Sequence, residues 1–310
     1  MKHIFIINQE CKAIMSGNEI RSFLMNKDNF EYLVFNRNYV GHEAELVSKM
    51  CRLFQEENIR FYSCGDATTL FHVLRGIDSF QNREIAFFHN GGKADFLENF
   101  EEKQRFMDLD SLIGGQVTYL DYVQLQDFIC CNSLSVGADV RMQLIADKIK
   151  KTMSISDNFA YRLALLLDTL VGFKSEELHI TIDGKNYNGN YLLAHIANGK
   201  CYNSIFYPTK EHTPVDGELD ILLWKESTTM RWLEGYNAYR MGNLATLSDV
   251  LIHIKGKQFK ISSSDGRKLL FQCDGVEQYC EEMSGNLQQG GIPFVLPKGV
   301  GVIGKEGVDG

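Results

Sequence analysis

Arg60-Phe-Tyr-Ser-Cys-Gly-Asp-Ala-Thr-Thr-Leu70 passes from an apolar run into a small polar turn and then into a run with helical spacing. It reads as a strand, Ile59–Ser63, a turn at Gly65-Asp-Ala-Thr68, and a helix over Thr68–Gly76. Such a turn presents unpaired backbone N–H groups to an anion. Thr68 or Thr69 is placed to cap the helix, and a hydroxyl there can also meet a phosphate. Asp66 would repel phosphate directly, so its useful role is to hold a divalent metal or to order the loop. A Gly-Asp turn at a strand end is equally at home as a plain turn. The surrounding chain has to decide.

Around this stretch, strands and helices alternate. His3–Ile7, Tyr32–Phe35 and Glu84–Phe88 read as further strands, Glu19–Met25 as a short helix, and Gly41–Glu57 as a longer one. In the longer helix Ala44, Leu46, Val47, Met50, Leu53 and Phe54 recur at three-and-four spacing. Alternation with short links predicts a mostly parallel sheet covered on both faces. The apolar run Ile4–Ile7 is too short for a signal peptide and reads as the first strand.

After about residue 115 the periodicity changes. Val117–Val123 and Asp127–Asn132 read as strands, and Phe159–Val171 as one long helix. Leu178–Ile182, Tyr191–Ala197, Leu219–Trp224, Val250–Ile254, Gln258–Ile261 and Lys268–Cys273 follow as short strands bounded by Asp-Gly, Asn-Gly or Lys-Gly turns. That pattern predicts an antiparallel sandwich. Pro293–Pro297 and Val300–Ile303 read as two last short strands. The expected domains are residues 1–115 with 290–310, and residues 116–289.

The chain has 310 residues, of which 44% are hydrophobic and 23% charged, ordinary values for a folded protein of two domains. No run of 18 apolar residues is present, so no spanning helix is expected. None of the eight cysteines forms a C-x-x-C pair, and they read as reduced, mostly buried thiols of a cytosolic protein. The net charge of -8, with no basic stripe, argues against nucleic acid as a partner. Nucleotide stays compatible, because backbone N–H groups and a metal ion neutralise phosphate locally.

Ligands of open α/β sheets sit outside the carboxyl ends of the strands. Three such ends carry suitable residues: Asn8, Gly65-Asp-Ala-Thr68, and Asn90-Gly-Gly-Lys-Ala-Asp95. No Walker A loop occurs. Farther on, Asp216 and Asp220 lie in a proline-marked loop entering a strand, where two carboxylates can share a hard cation or simply form a turn. In Cys273-Asp-Gly-Val-Glu277 a carboxylate is placed either to take the proton of a hydroxyl nucleophile or to make a hairpin turn.

Taken in order, these segments resemble the catalytic domain of the diacylglycerol kinase and sphingosine kinase superfamily, bacterial lipid kinases included. Gly41-His-Glu-Ala-Glu-Leu46 is similar to that family's Gly-His-Ala-x-Glu-Leu helix start, and Cys64-Gly-Asp-Ala-Thr68 to its Gly-Gly-Asp-Gly-Thr signature. Ile196-Ala-Asn-Gly199, Pro208 and Asp216-Gly-Glu-Leu-Asp220 resemble its Asn-Gly…Pro…Asp-Gly-x-Leu-Asp run, and Cys273-Asp-Gly-Val276 its terminal Asp-Gly-Glu.

The resemblance implies an NAD kinase/diacylglycerol kinase-like α/β domain followed by a larger β-sandwich domain. It implies ATP and Mg2+ as cofactors and transfer of a γ-phosphoryl group to the hydroxyl of a diacylglycerol-type lipid. Asn8, Gly65, Asp66, Ala67, Thr68, Gly91, Gly92 and Asp95 then fall at the nucleotide, and Asp216 with Asp220 at a metal. Asp66, Asp274 and Glu277 are the candidates for the chemistry. Peripheral membrane contact is expected of a lipid-acting protein, with Lys148, Lys150 and Lys151 nominated although a solvated loop also explains them. A homodimer is left open.

The departures from the family pattern define the alternative. Cys64 and Ala67 replace signature glycines, Gly92 and Ala94 replace Thr and Asn of a second loop, and Val276 replaces the terminal glutamate. Phe71 or His72 stands where an acidic helix position is usual. These support a non-catalytic relative that binds nucleotide or lipid. Glu277 reaches the side of Val276 only through a bulge, since neighbours on a strand face opposite ways.

Overall fold

The computed structural model describes residues 1–11, 15–27, 30–89, 94–171 and 174–304. The chain divides into two compact units. The first comprises Met1–Tyr122, Asp127–Ile129 and Gln288–Gly310, and the second Val123–Gln126 and Cys130–Leu287.

The first part of the chain runs β1 (Lys2–Ile7), α1 (Gly17–Met25), β2 (Tyr32–Asn36), α2 (His42–Leu53), β3 (Ile59–Gly65), α3 (Ala67–Arg75), β4 (Arg83–His89), α4 (Leu109–Ile113) and β5 (Gln116–Leu125). Strands β2, β1, β3 and β4 pair side by side, all parallel. All seven residues of β3 are buried, as expected of a central strand covered on both faces. Helices α1 and α2 each bury one stripe, Ile20 and Leu24 on α1 and Val47, Met50 and Cys51 on α2, whereas α3 buries every residue from Thr69 to Leu74. Ser16 and Glu19 close a capping box at the start of α1, satisfying two otherwise orphan N–H groups.

The second part runs β6 (Ile129–Cys130), β7 (Ser133–Gly137), α5 (Ala138–Thr152), α6 (Asp157–Val171), β8 (Glu176–Ile182), β9 (Lys185–Asn186), β10 (Gly189–Ala197) and β11 (Leu219–Lys225). It continues with α7 (Thr229–Arg240), β12 (Leu251–Gly256), β13 (Gln258–Ser263), β14 (Leu269–Cys273), β15 (Val276–Cys280) and β16 (Glu282–Leu296). Its pairings are antiparallel. One set runs β12-β11-β10-β7-β14-β15, and β8 pairs with β13, which pairs with the first part of β16. Strand β10 belongs to both sets, pairing with β8 over Gly189–Tyr191 and with β11 and β7 beyond a register shift at Tyr191/Leu193. In β8, Leu178, Ile180 and Ile182 face inward while Glu177 and His179 face out, the period of a half-buried strand.

The expected architecture is present: an α/β part with parallel strands and an antiparallel second part. Several elements differ. Residues 145–151, read as a basic loop, form the end of helix α5, and α7 was not foreseen. The strand expected over Asp127–Asn132 shortens to Ile129–Cys130, and the one over Val300–Ile303 to a single bridge between Phe100 and Val302. Strand β16 has fifteen residues rather than the short run at Pro293–Pro297. Its end is held by an aromatic cluster of Phe96, Phe100 and Phe106 around Phe294. All eight cysteines remain thiols, six of them buried.

The core of the second unit encloses a carboxyl group. Helices α5 and α6 bury Ala138, Met142, Ala146, Ala160, Tyr161 and Ala164 together with Trp224, Trp232 and Tyr239. Among them Asp139 accepts hydrogen bonds from the Tyr202 and Tyr239 hydroxyls at 2.8 and 3.4 Å. Burial pushes its pKa up to about 7, although the two hydroxyls act in the opposite direction. The folded state therefore holds a proton that the unfolded chain, with its ordinary value of 3.8, has released. The associated stability is fully present below about pH 4 and is lost as pH rises to about 7, by at most about 4 kcal/mol. Asp139→Asn is expected to remove that slope from urea denaturation measured between pH 4.5 and 8; an unchanged slope would refute the assignment.

Candidate functional site

In a parallel sheet ordered β2-β1-β3-β4, chain connections leave β1 and β3 in opposite directions, so a crevice opens at their carboxyl ends. Asn8 and Gly65-Asp66 stand at those two ends, with Ile7 in register with Cys64. Asn8 is buried and donates through Nδ2 to Thr69 Oγ1 at 3.1 Å and to Cys11 Sγ at 2.9 Å. Thr69 Oγ1 in turn donates to Asp66 Oδ1 at 2.8 Å, and the same oxygen accepts Thr69 N–H at 2.9 Å. Asp66 is thus the N-cap of α3, where the sequence reading had looked to Thr68 or Thr69.

The question raised by the Arg60–Leu70 stretch has a double answer. Asp66 does order the turn. In doing so it fixes its carboxylate beside the first N–H groups of a nine-residue helix. Gly65 permits this packing, since a Cβ there would lie 2.5 Å from Thr69 Oγ1 and 3.0 Å from Asn8 Cβ. Ala67 and Thr68 form the half-buried first turn. Burial, and then the charge of Asp66, push the Cys11 thiol up to about 11, so it stays protonated.

An unforeseen ionic group lines the same end of the sheet. Glu43 is fully buried at the start of α2, where it accepts Gly41 N–H and Arg37 Nη1, each at 3.0 Å. Arg37, just past β2, also pairs with Glu10, so the buried carboxylate is not left uncompensated. Spacing around Gly41-His-Glu43 marked a helix start, but nothing local pointed to Arg37. Asp95 opens a 3-10 segment, Asp95–Asn99, and is half-buried; Gly91 and Gly92 lie outside the described residues.

The remaining candidates lie in the second unit. Asp274 and Gly275, with φ of 46° and 84°, make the two-residue turn between β14 and β15, for which Asp-Gly is well suited. The Asp274 carboxylate accepts the N–H groups of Cys131, Asn132 and Ser133 at 2.7, 2.9 and 2.9 Å, and the Cys130 thiol at 3.3 Å. Burial raises its pKa while the three N–H groups pull it down. Asn198 joins the same cluster, donating to Cys131 O at 2.8 Å, and Asn132 donates to Cys201 O at 2.8 Å. Glu277 is exposed, and the β14–β15 register is regular, with Cys273 opposite Val276 and Gln272 opposite Glu277. The bulge that would bring Glu277 to the side of Val276 is not there.

Asp216 and Asp220 meet through a histidine. Asp220 accepts His212 Nδ1 at 3.0 Å and His253 Nε2 at 2.5 Å, and Asp216 Oδ2 lies 3.5 Å from the same His212 nitrogen. Burial pushes the Asp220 carboxyl up, but the two histidine hydrogen bonds outweigh it and hold the group below the usual range. Asp216 Oδ1 accepts Glu218 N–H at 3.1 Å. A hard cation requires several open oxygens. With both Asp220 oxygens engaged by imidazole, this pair does not fit magnesium.

Across 96% of this chain and 97% of the other, a Bacillus anthracis str. Sterne structure solved as "a putative diacylglycerol kinase" superposes with a TM-score of 0.70 at 16% identity. A second diacylglycerol kinase structure from that organism gives 0.65 at 15% identity over the same shares. The fold is that of the diacylglycerol kinase and lipid kinase-like superfamily. Among curated relatives, the Staphylococcus epidermidis protein named "Putative lipid kinase SERP0390" is 22% identical over 232 residues, 72% of this chain and 74% of its own. The model of the YegS C-terminal NAD kinase beta sandwich-like domain matches residues 132–287, half of the chain. The protein belongs to this YegS-type family.

Proposed function

We propose that the protein is an ATP- and magnesium-dependent lipid kinase that transfers the γ-phosphoryl group of ATP to the hydroxyl of a diacylglycerol-type lipid. The observation that carries this reading is the chain Asn8–Thr69–Asp66 at the meeting of β1 and β3. Phosphoryl transfer depends mainly on positioning and charge neutralisation. The N-terminal N–H groups of α3 are suited to hold phosphate oxygens, and Thr69 sets the Asp66 carboxylate in a fixed orientation. Asp66 is the residue that fits a magnesium–phosphate group; the ion, when bound, neutralises phosphate charge. Names of relatives support the lipid as acceptor. Among the described residues no helix is long and apolar enough to cross a membrane.

A second reading, a non-catalytic relative that binds nucleotide or lipid, is favoured by Asp274 and Glu277. The first is held by three backbone N–H groups and the second faces outward, leaving Val276 where the family has its acid. Incubation with labelled ATP, magnesium and diacylglycerol, sphingosine or related lipids separates the two. The kinase reading predicts magnesium-dependent labelled lipid. Calorimetric nucleotide binding with no product, beside an active control kinase, would establish the binding module instead.

A further inference from the structure

Helix α6 has two faces, and the outer one is apolar. Ala160, Tyr161, Ala164 and Asp168 are buried, whereas Phe159, Leu166 and Leu170 are 55%, 53% and 73% exposed. At the α-helical angle per residue, Phe159, Leu163, Leu166, Leu167 and Leu170 fall within a sector of about 100°. Between Asn158 and Leu170 the charged residues are Arg162, which is exposed, and Asp168, which is buried and pairs with Arg141 at 3.3 Å. An outward apolar stripe of this kind is characteristic of an interaction surface.

The charges around the stripe indicate its occupant. The last turns of α5 carry Lys148, Lys150 and Lys151. Lys150 bridges Asp147 at 2.7 Å and Asp157, the first residue of α6, at 3.3 Å, so that basic turn lies beside the start of α6. The two nearby acids are thereby compensated. Lys148, Lys151 and Arg162 remain exposed, on a chain whose net charge is -8. A second copy docking on this face by two-fold symmetry would offer these cations no exposed acid from its own stripe, because the one acid between Asn158 and Leu170, Asp168, is buried and paired with Arg141. An anionic lipid surface meets both features at once, apolar side chains entering below the headgroups and cations pairing with them. At about 22 Å, a 15-residue helix suits lying in that plane and not crossing it.

We propose that the outer face of α6, with the basic end of α5, docks the protein on anionic bilayers. The inference goes beyond the phosphoryl-transfer reading and stands apart from it, because vesicle association requires neither nucleotide nor turnover. The test is sedimentation of the full chain with phosphatidylcholine vesicles, with and without phosphatidylglycerol, alongside sedimentation-velocity ultracentrifugation. Wild type is expected to partition onto the anionic vesicles, less so at high salt. F159S/L166Q/L170Q and, separately, K148E/K151E are each expected to lower that partition at least about tenfold, with melting curves unchanged. Wild type that ignores both vesicle types, or a triple variant that binds as wild type does, overturns the proposal. So does a wild-type dimer that the triple variant makes monomeric with vesicle binding unaltered.

Discussion

Asp66→Asn is expected to abolish most function while leaving the fold intact. Asparagine caps a helix about as well as aspartate, and its carbonyl oxygen can keep both bonds from Thr69, so stability should stay within about 1 kcal/mol of wild type. The lost negative charge is the one proposed to orient the magnesium–phosphate assembly. Magnesium–ATP affinity should fall, and turnover should drop about 100-fold or more. Asp66→Ala adds a folding defect of about 1 kcal/mol through loss of the cap. Melting temperature, nucleotide affinity and turnover measured on both variants divide cap from site. Well-folded D66N protein with wild-type affinity and turnover would reduce Cys64–Thr68 to a capped turn.

Asp274→Ala should behave in the opposite way. Its carboxylate is the partner of three N–H groups on Cys131, Asn132 and Ser133, residues only 4%, 5% and 9% exposed. Each buried donor left unmatched costs about 1–3 kcal/mol, and alanine at φ of 46° adds roughly another 1 kcal/mol. A total loss of at least about 4 kcal/mol is expected, read as an earlier midpoint in urea. Were D274A to unfold as late as wild type, the turn would not be anchoring the link between β6 and β7.

The legibility of this sequence followed how local each signal was. Central parallel strands show as continuous apolar runs, and the helices between them as regular stripes, so the first part of the fold could be read directly. Helix α5 hid because it starts at Gly137, with φ of 99° and no side-chain cap. Helix α7 hid behind Gly235, which lowers helical propensity but is required where a Cβ would lie 2.6 Å from Trp224. At the site, Asp66 and its neighbours form one short segment and were found. The clasp of His212 and His253 on Asp220 depends on which strands pair: His253 reaches Asp220 because β12 runs antiparallel to β11, with Lys255 opposite Asp220. The hold of Asp274 on Cys131–Ser133 likewise arises from β14 lying beside β7, with Cys273 opposite Leu134. No local pattern encodes either pairing.

The two-part pairing of β16 bears on how the protein comes to be made. Its first residues pair with β13, and Phe294 and Val295 pair with Ile85 and Ala86 of β4. The neighbour of β4 in the sheet is therefore supplied some two hundred residues after β4 has left the ribosome. During translation that edge of β4 waits unpaired, a template for stray strands, and closing it is a contact of very long sequence separation. The first unit, although it begins the chain, can finish folding only after the whole intervening unit has been synthesised.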